Sequence, residues 1–407
     1  MRSPERDGTG PEAGPSWKGT TLVGVVGTID RGAGAEKAYW SISTGLRERL
    51  GFRLVQASQL APTRPLGDDR ELHVLRPDGQ RLFLWVTQLL KLRRLLAAVP
   101  RPAILFPFQI NTNILAVAAN ASLPAGRRLP VVLNDRANIR TTTTPTLRLG
   151  LAFMFRLLVV RWLARWAYRR ARFVVCNSKA NAAQVREFLG PNAPPVVAIA
   201  NPVPVEEIQQ RFAERDRSAL LDPERPVIAG HGRLYHGKGW EMLITVLAQV
   251  QREFPGARLR ILGEGVLLGE LEALAEKLGV RSDCEFAGFV EDPLPAIESA
   301  DVYVLASESE GMPNSLLEAI ALGMPCVSTD CPTGPSEILG EDGRAGRLVP
   351  VGAAEEMAEA ILELLRDGER RQILARAARA RARDFRAEVC VEAYVQVLAE
   401  CLPQERS

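Results

Sequence analysis

Short runs of apolar, mostly β-branched residues recur along the chain, each closed by a glycine or a polar loop and most followed by a segment of helical periodicity. The first, Thr21 to Val26 ahead of Gly27, is apolar at nearly every position. A strand reads this way when helices cover both of its faces, the situation of a parallel sheet. Runs of the same kind at Ala103 to Phe106, Val131 to Leu133, Phe173 to Cys176 and Val196 to Ile199 build a first doubly wound unit. A Pro-rich passage follows, from Asn201-Pro202-Val203-Pro204 to Asp222-Pro223-Glu224-Arg225-Pro226, and a second set then starts afresh: Val227 to Gly230, Leu259 to Leu262, Cys284 to Ala287, Val302 to Ala306 and Cys326 to Ser328. At 407 residues the chain exceeds what one core usually organises. The expectation is an α/β fold of two Rossmann-like units facing each other across a cleft lined by the carboxyl ends of their strands, where open α/β sheets bind ligands. The boundaries read as a Gly- and Pro-rich disordered leader over 1–18, a first unit over 19–205, a connection over 206–226, a second unit over 227–380 and a C-terminal helical stretch over 381–407. Helices at about 354–366 and 388–401 pack on the outside or cross back to the first unit.

A formal charge of +3, from 51 Lys and Arg against 48 Asp and Glu, gives no whole-protein field, and no nucleic-acid partner is expected. Six cysteines without short repeated spacings fit a reducing compartment and neither a disulfide framework nor a zinc site. The leader lacks an apolar signal region, so a cytoplasmic location is expected. Residues 147–173 carry Arg156, Arg161, Arg165, Arg169, Arg170 and Arg172 among Leu, Phe and Trp, too charged to span a bilayer. Two readings stay open for this helix: peripheral contact with an anionic membrane, or a domain helix whose arginines snorkel.

The sharpest local signal is Ser307-Glu308-Ser309-Glu310-Gly311-Met312-Pro313-Asn314, between the run Val302 to Ala306 and a helix that carries Glu318. Pro313 suits the first helical position, and the free N–H groups of the helix end favour a phosphate over Gly311 to Asn314. Glu310 and Glu318 are spaced to accept hydroxyl hydrogen bonds from a sugar and a ribose. The loop Gly230 to Trp240 supplies Arg233 and Lys238, two cations able to neutralise a diphosphate. The same loop stops one residue short of a Walker A, because Gly239 stands where Ser or Thr would hold magnesium; a P-loop-like NTPase is the rival reading, and a non-catalytic nucleotide-sugar-binding protein another. Gly263 and Gly265 follow a strand and either let backbone approach a nucleotide or turn the chain, and Gly32 to Lys37 opens a helix from the other side of the cleft. His236 lies in the second half of the loop Gly230 to Trp240, where it can donate a hydrogen bond, and no metal-ligand cluster emerges.

Together these residues resemble the family-four retaining glycosyltransferases of the GT-B fold, the glycosyl transferases group 1. The carriers are the Gly32 to Lys37 loop, Val174 to Ser178 with Asn201-Pro202, Arg233 with Lys238-Gly239, Gly263 to Gly265, Glu310 and Glu318, and Asp330 to Leu339 with Gly346 to Pro350. The resemblance implies transfer from a nucleoside-diphosphate sugar, most often UDP-linked, to a hydroxyl of a glycan or lipid-linked saccharide, with retention and with no cofactor or metal. It assigns Arg233, Lys238 and Glu310 to catalysis. The donor falls to Gly32, Gly34, Gly263, Gly265, Val290, Gly311, Met312, Pro313, Asn314 and Glu318, with the base near Gly288 to Val290. Glu36, Asp135 and Arg136 fall on the acceptor side, where Asn134-Asp135-Arg136 replaces the histidine many members carry.

Overall fold

The computed structural model describes residues 17, 19–28, 34–60, 71–75, 84–136, 151–213 and 222–402. Gly32, nearly all of the expected leader, and residues 147–150 lie outside the described residues.

Among the described residues seven parallel strands form the N-terminal layer: β1 (Thr21–Val26), β2 (Arg53–Ser58), β3 (Glu71–Val74), β4 (Ala103–Pro107), β5 (Val132–Asp135), β6 (Phe173–Cys176) and β7 (Val196–Ala198). Sheet order is β3-β2-β1-β4, and the bridges Leu105 to Val131 and Phe108 to Asn134 carry the layer on into β5-β6-β7. Every residue of β1 is buried, as its unbroken apolar run requires. The strands β2 and β3 escape the sequence reading because Arg53, Gln56, Glu71 and His73 interrupt them, and β3, at the sheet edge, is only half buried.

The C-terminal unit repeats the plan with β8 (Val227–His231), β9 (Arg258–Leu262), β10 (Cys284–Phe286), β11 (Val302–Leu305), β12 (Cys326–Thr329) and β13 (Arg347–Val349), in the order β10-β9-β8-β11-β12-β13. All pairs are parallel. Chain order reverses between β1 and β4 in one sheet and between β8 and β11 in the other, and crevices at such points are where these folds bind ligands.

The connection over 206–226 opens as a helix, Val205–Arg211, and Val205, Ile208 and Phe212 are buried in the C-terminal core. The first half of that stretch is therefore part of the second unit rather than an open tether. The helix Gly368–Ala382, unread in the sequence because arginines punctuate it, buries Leu374, Ala378 and Ala382 against the same unit. The chain then returns beside its own outward crossing, with the Val203 N–H donating to the Phe385 carbonyl at 2.9 Å. The last helix, Ala387–Ala399, completes the N-terminal core by packing Val391, Tyr394 and Leu398 against Trp40, Ile42, Leu46 and Phe106. A Cβ on Gly45 would lie 2.6 Å from Val391, so this helix approaches Gly34–Leu50 closely.

Candidate active site

Three loops of the C-terminal unit are stitched into one platform. After β8 the chain runs through Gly232 to Gly239 before the helix Trp240–Val250. The Leu234 N–H donates to the Glu264 carbonyl at 2.9 Å, and the Glu308 N–H to the Gly237 carbonyl at 2.9 Å. Added Cβ atoms on Gly263 and Gly265 would lie 1.9 Å from the Gly232 carbonyl oxygen and 2.2 Å from that of Leu234. These two glycines, expected at the donor, let one loop lie flat on another. Gly239, at φ +71°, would place a Cβ 2.1 Å from the Ala306 carbonyl oxygen. No serine or threonine fits there, which removes the Walker A reading on steric grounds.

Glu310 is the best-held group of the platform. Its Oε1 accepts from Lys238 Nζ at 2.5 Å and from Ser307 Oγ at 2.7 Å, and its carbonyl accepts from the Thr333 hydroxyl. Thr329 Oγ1 in turn donates to the Ser307 carbonyl at 2.6 Å. Arg233 is exposed and lies over the Tyr235 ring at 5.4 Å. His236 is solvent-facing, 3.8 Å from Glu241.

The helix Asn314–Leu322 starts at the end of this loop, with Pro313 as its cap (φ −71°, ψ 110°) rather than, as expected, its first helical residue. Met312 is buried. Gly311 meets the N-terminal unit: a Cβ there would lie 2.7 Å from the Arg136 carbonyl oxygen and 2.8 Å from Asn177 Nδ2. Asn314 bridges the units, donating to the Gly34 carbonyl at 2.8 Å and accepting from Asn201 Nδ2 at 2.7 Å. Since Gly34 opens the helix Gly34–Leu50, the positive ends of two helices from opposite units converge here.

Glu318 sits on the first of these helices with both oxygens engaged. Oε2 lies 2.9 Å from His231 Nε2, and Oε1 accepts from Lys37 Nζ, of the opposite unit, at 3.1 Å. The His231 Nδ1 lies 3.3 Å from the Tyr303 hydroxyl. Burial pushes the Glu318 carboxyl up, but the hydrogen bond and charge of His231, and then those of Lys37, outweigh it and hold the group down at about 2. The sequence reading missed His231 and Tyr303 as site residues. The available signal was the place of His231 at the carboxyl end of β8, beside the reversal in strand order. A cavity of about 150 Å³ lies alongside, lined by Lys37, Glu318, Pro204, Ile208, Pro293 and Leu294 among others. Val290 is half-buried against the core beneath, beside Gly288 at φ +67°.

On the N-terminal side three expectations change. Asp135 accepts from the Tyr168 hydroxyl at 2.6 Å and lies 3.4 Å from Asn181 Nδ2; it is buried in the sheet layer. Arg136 is buried where the last helix docks, donating to Asn201 Oδ1 at 2.9 Å and to the Tyr394 hydroxyl and stacking over Phe108 at 5.2 Å. Glu36 is buried and accepts from Gln109 Nε2 at 3.1 Å. None of the three side chains presents itself to an acceptor, because each is turned inward onto a protein partner. Gln109 itself holds φ 74° and ψ 152° at the carboxyl end of β4, a backbone region nearly closed to residues with a side chain.

The geometry defines a two-unit cleft that holds its own charges in pairs. A family model described as glycosyl transferases group 1 matches residues 212–381, and one described as Glycosyltransferase Family 4 matches residues 33–207. The chain is 36% identical over 191 residues to the lipopolysaccharide core biosynthesis glycosyltransferase LpsE of Rhizobium meliloti, covering 46% of this chain and 54% of that relative, so it spans about half of the relative's length. It is 29% identical over 280 residues to the N-acetylgalactosamine-N,N'-diacetylbacillosaminyl-diphospho-undecaprenol 4-alpha-N-acetylgalactosaminyltransferase of Campylobacter jejuni, covering 69% of this chain and 72% of that one. Among solved structures, Anabaena HepE in complex with UDP and glucose has a TM-score of 0.70 at 19% identity, over 94% of this chain and 99% of the other. The fold is GT-B. The chain belongs to the group 1 glycosyltransferases, one family model falling on each of its two units.

Proposed function

We propose that the protein moves a sugar from a nucleoside-diphosphate donor, UDP-linked, to a hydroxyl of a glycan or lipid-linked saccharide in cell-surface polysaccharide or glycoconjugate synthesis. Transfer retains the anomeric configuration and needs no metal. The observation that carries this reading is the pairing of Lys238 with Glu310 beside the converging helix ends. A donor satisfies both partners at once: its diphosphate takes Lys238, Arg233 and the helix N–H groups, and its sugar hydroxyls take Glu310. Fixed cations then replace the metal that would otherwise neutralise the leaving diphosphate. The diphosphate accepts the acceptor proton on the face it departs from, so no protein nucleophile is needed. The Campylobacter relative is named for a diphospho-undecaprenol acceptor, which supports a lipid-linked one here.

A lipid-linked acceptor calls for a membrane face, and the helix Leu151–Tyr168 supports one. Phe155, Leu158 and Trp162 stand exposed on it, and no acidic residue interrupts it. The arginines divide: Arg161 stacks on Phe188, Arg170 on Trp166, and Arg165 and Arg169 donate to the Leu189 carbonyl, while every one of the six but the half-buried Arg161 is exposed, Arg156 and Arg172 included. Among the described residues no helix is long and apolar enough to cross a membrane, so the contact proposed is peripheral, at the cytoplasmic face.

The test is thermal unfolding with UDP, GDP, ADP and ATP in EDTA and then in magnesium. A ligand at ~100 times its Kd adds about 2.7 kcal/mol of stability. A shift with UDP that is the same in EDTA supports the donor reading; a shift that needs magnesium, or occurs with ATP alone, defeats it.

A further inference from the structure

The two oxygens of the Glu318 carboxylate are held by different halves of the molecule. His231, on Oε2, belongs to the same unit as Glu318 and is itself set by the buried Tyr303. Lys37, on Oε1, reaches across the cleft from the other unit, and its side chain keeps 41% exposure. His231 therefore fixes the carboxylate from within its own unit, while Lys37 covers Oε1 from the other, and Lys37 and Glu318 both line the cavity. The Lys37 end of the pair is the exposed one, so an incoming pair of hydroxyls displaces the lysine rather than His231.

Lys37 lies in the first turn of the helix Gly34–Leu50, where a cation opposes the positive end of its own helix. Through Asn314 the positive end of a second helix is tied to the same spot. A lysine there is tolerated because Glu318 answers it. Once hydroxyls occupy Oε1, three positive features are left facing each other unless the ligand itself brings negative charge.

We infer that Lys37 is a donor-sensing residue: it covers Glu318 in the empty cleft and passes to the diphosphate when the ribose takes its place. This rests on the donor-site reading and adds to it a selectivity device. A bare nucleoside breaks the Lys37–Glu318 pair and gives nothing back, whereas a nucleoside diphosphate replaces it. The pair thus favours intact donor and diphosphate over nucleoside, because only a phosphate-bearing ligand replaces the cross-cleft contact that it breaks.

Calorimetric titration of the full chain tests this with uridine and UDP, or with guanosine and GDP if GDP is the nucleotide that stabilises the wild type. In Lys37→Met the nucleoside binds as tightly as before or tighter, while the diphosphate binds roughly tenfold more weakly, the loss of one charge-assisted contact. The ratio of the two affinities collapses, and Lys37→Arg restores most of it. An unchanged ratio in Lys37→Met, or an equal fall in both affinities, overturns the inference while leaving the donor site standing. Failure of the wild type to bind any nucleotide overturns the donor-site reading itself.

Discussion

The two units share a topology and differ in where they put their charges. In the C-terminal unit the informative charges gather around the carboxyl ends of the strands: Lys238 on Glu310, His231 on Glu318, and Arg233 exposed over the Tyr235 ring. In the N-terminal unit the stretch between Asp78 and Glu187 holds a single acidic residue, Asp135, against 18 Lys and Arg. That one carboxylate is buried under Tyr168, and the neighbouring Arg136 is buried under the last helix. One unit thus holds its charges in pairs at the cleft. The other uses its few inward charges for architecture and leaves a basic, partly apolar exterior. A near-neutral chain conceals a polarised molecule.

The largest effect that would sharpen this contrast is on turnover. Glu310→Gln removes the charge that Lys238 and Ser307 position, and is expected to lower kcat about 100- to 1000-fold with little change in Tm, as for loss of one fixed electrostatic contact in a transition state. Asp135→Asn in the other unit is expected to lower Tm and leave turnover per folded molecule near wild type. Steady-state kinetics beside thermal melts decide it, and equal turnover losses in the two variants would erase the contrast.

Next in size is a pH effect on stability. Glu318 is held at about 2 against an ordinary 4.5. A depressed carboxyl stabilises the folded state above its unfolded value, and that contribution is lost as pH falls through the folded one. The shift corresponds to about 3 kcal/mol, present above pH ~5 and gone near pH 2. Urea unfolding of the wild type and Glu318→Gln across that range should converge at the acid end; parallel curves would show that His231 and Lys37 do not depress the group. A smaller loss, about 2 kcal/mol at neutral pH, is expected for Arg136→Met, which leaves the buried Asn201 and Tyr394 oxygens short of a donor.

The fold could be read from sequence wherever both faces of a strand are covered. Phe173 to Cys176 is apolar throughout and forms a strand at those residues, whereas Arg53 and Gln56 hide β2, and Glu71 and His73 hide the edge strand β3. The loop and helix end at Ser307 to Asn314 were legible for a related reason: glycine, proline and glutamate in a short local order dictate a turn and a helix end whatever the surroundings. Contacts across the cleft were not. Lys37 and Glu318 are 281 residues apart in the chain, and no local pattern announces that they meet. Nor does a polar residue at the end of a strand declare which way it turns, so Asp135 and Arg136 read as cleft residues and proved to be interior ones. The glycines at 263 and 265 hide a contact in the same way, since the atom each makes room for belongs to another loop.

The smallest expected effect on the folded protein concerns the exterior of the basic unit. Phe155 is 70% exposed and Trp162 67%, so a double change of Phe155→Ser and Trp162→Ser removes little packing. Stability should stay within about 0.5 kcal/mol, the usual range for surface positions. Turnover on a water-soluble acceptor should also be unchanged, because the cleft lies elsewhere. Binding to vesicles containing anionic lipid should fall sharply, since apolar insertion and the basic field act together in such contacts. Co-sedimentation at low and physiological salt separates the two contributions: loss at both salts marks the apolar pair as the anchor, and loss only at higher salt marks the arginines as sufficient when unscreened. Retention at both salts would show that the exposed rings face water in the working protein, leaving the N-terminal charges as a property of the unit rather than of its attachment.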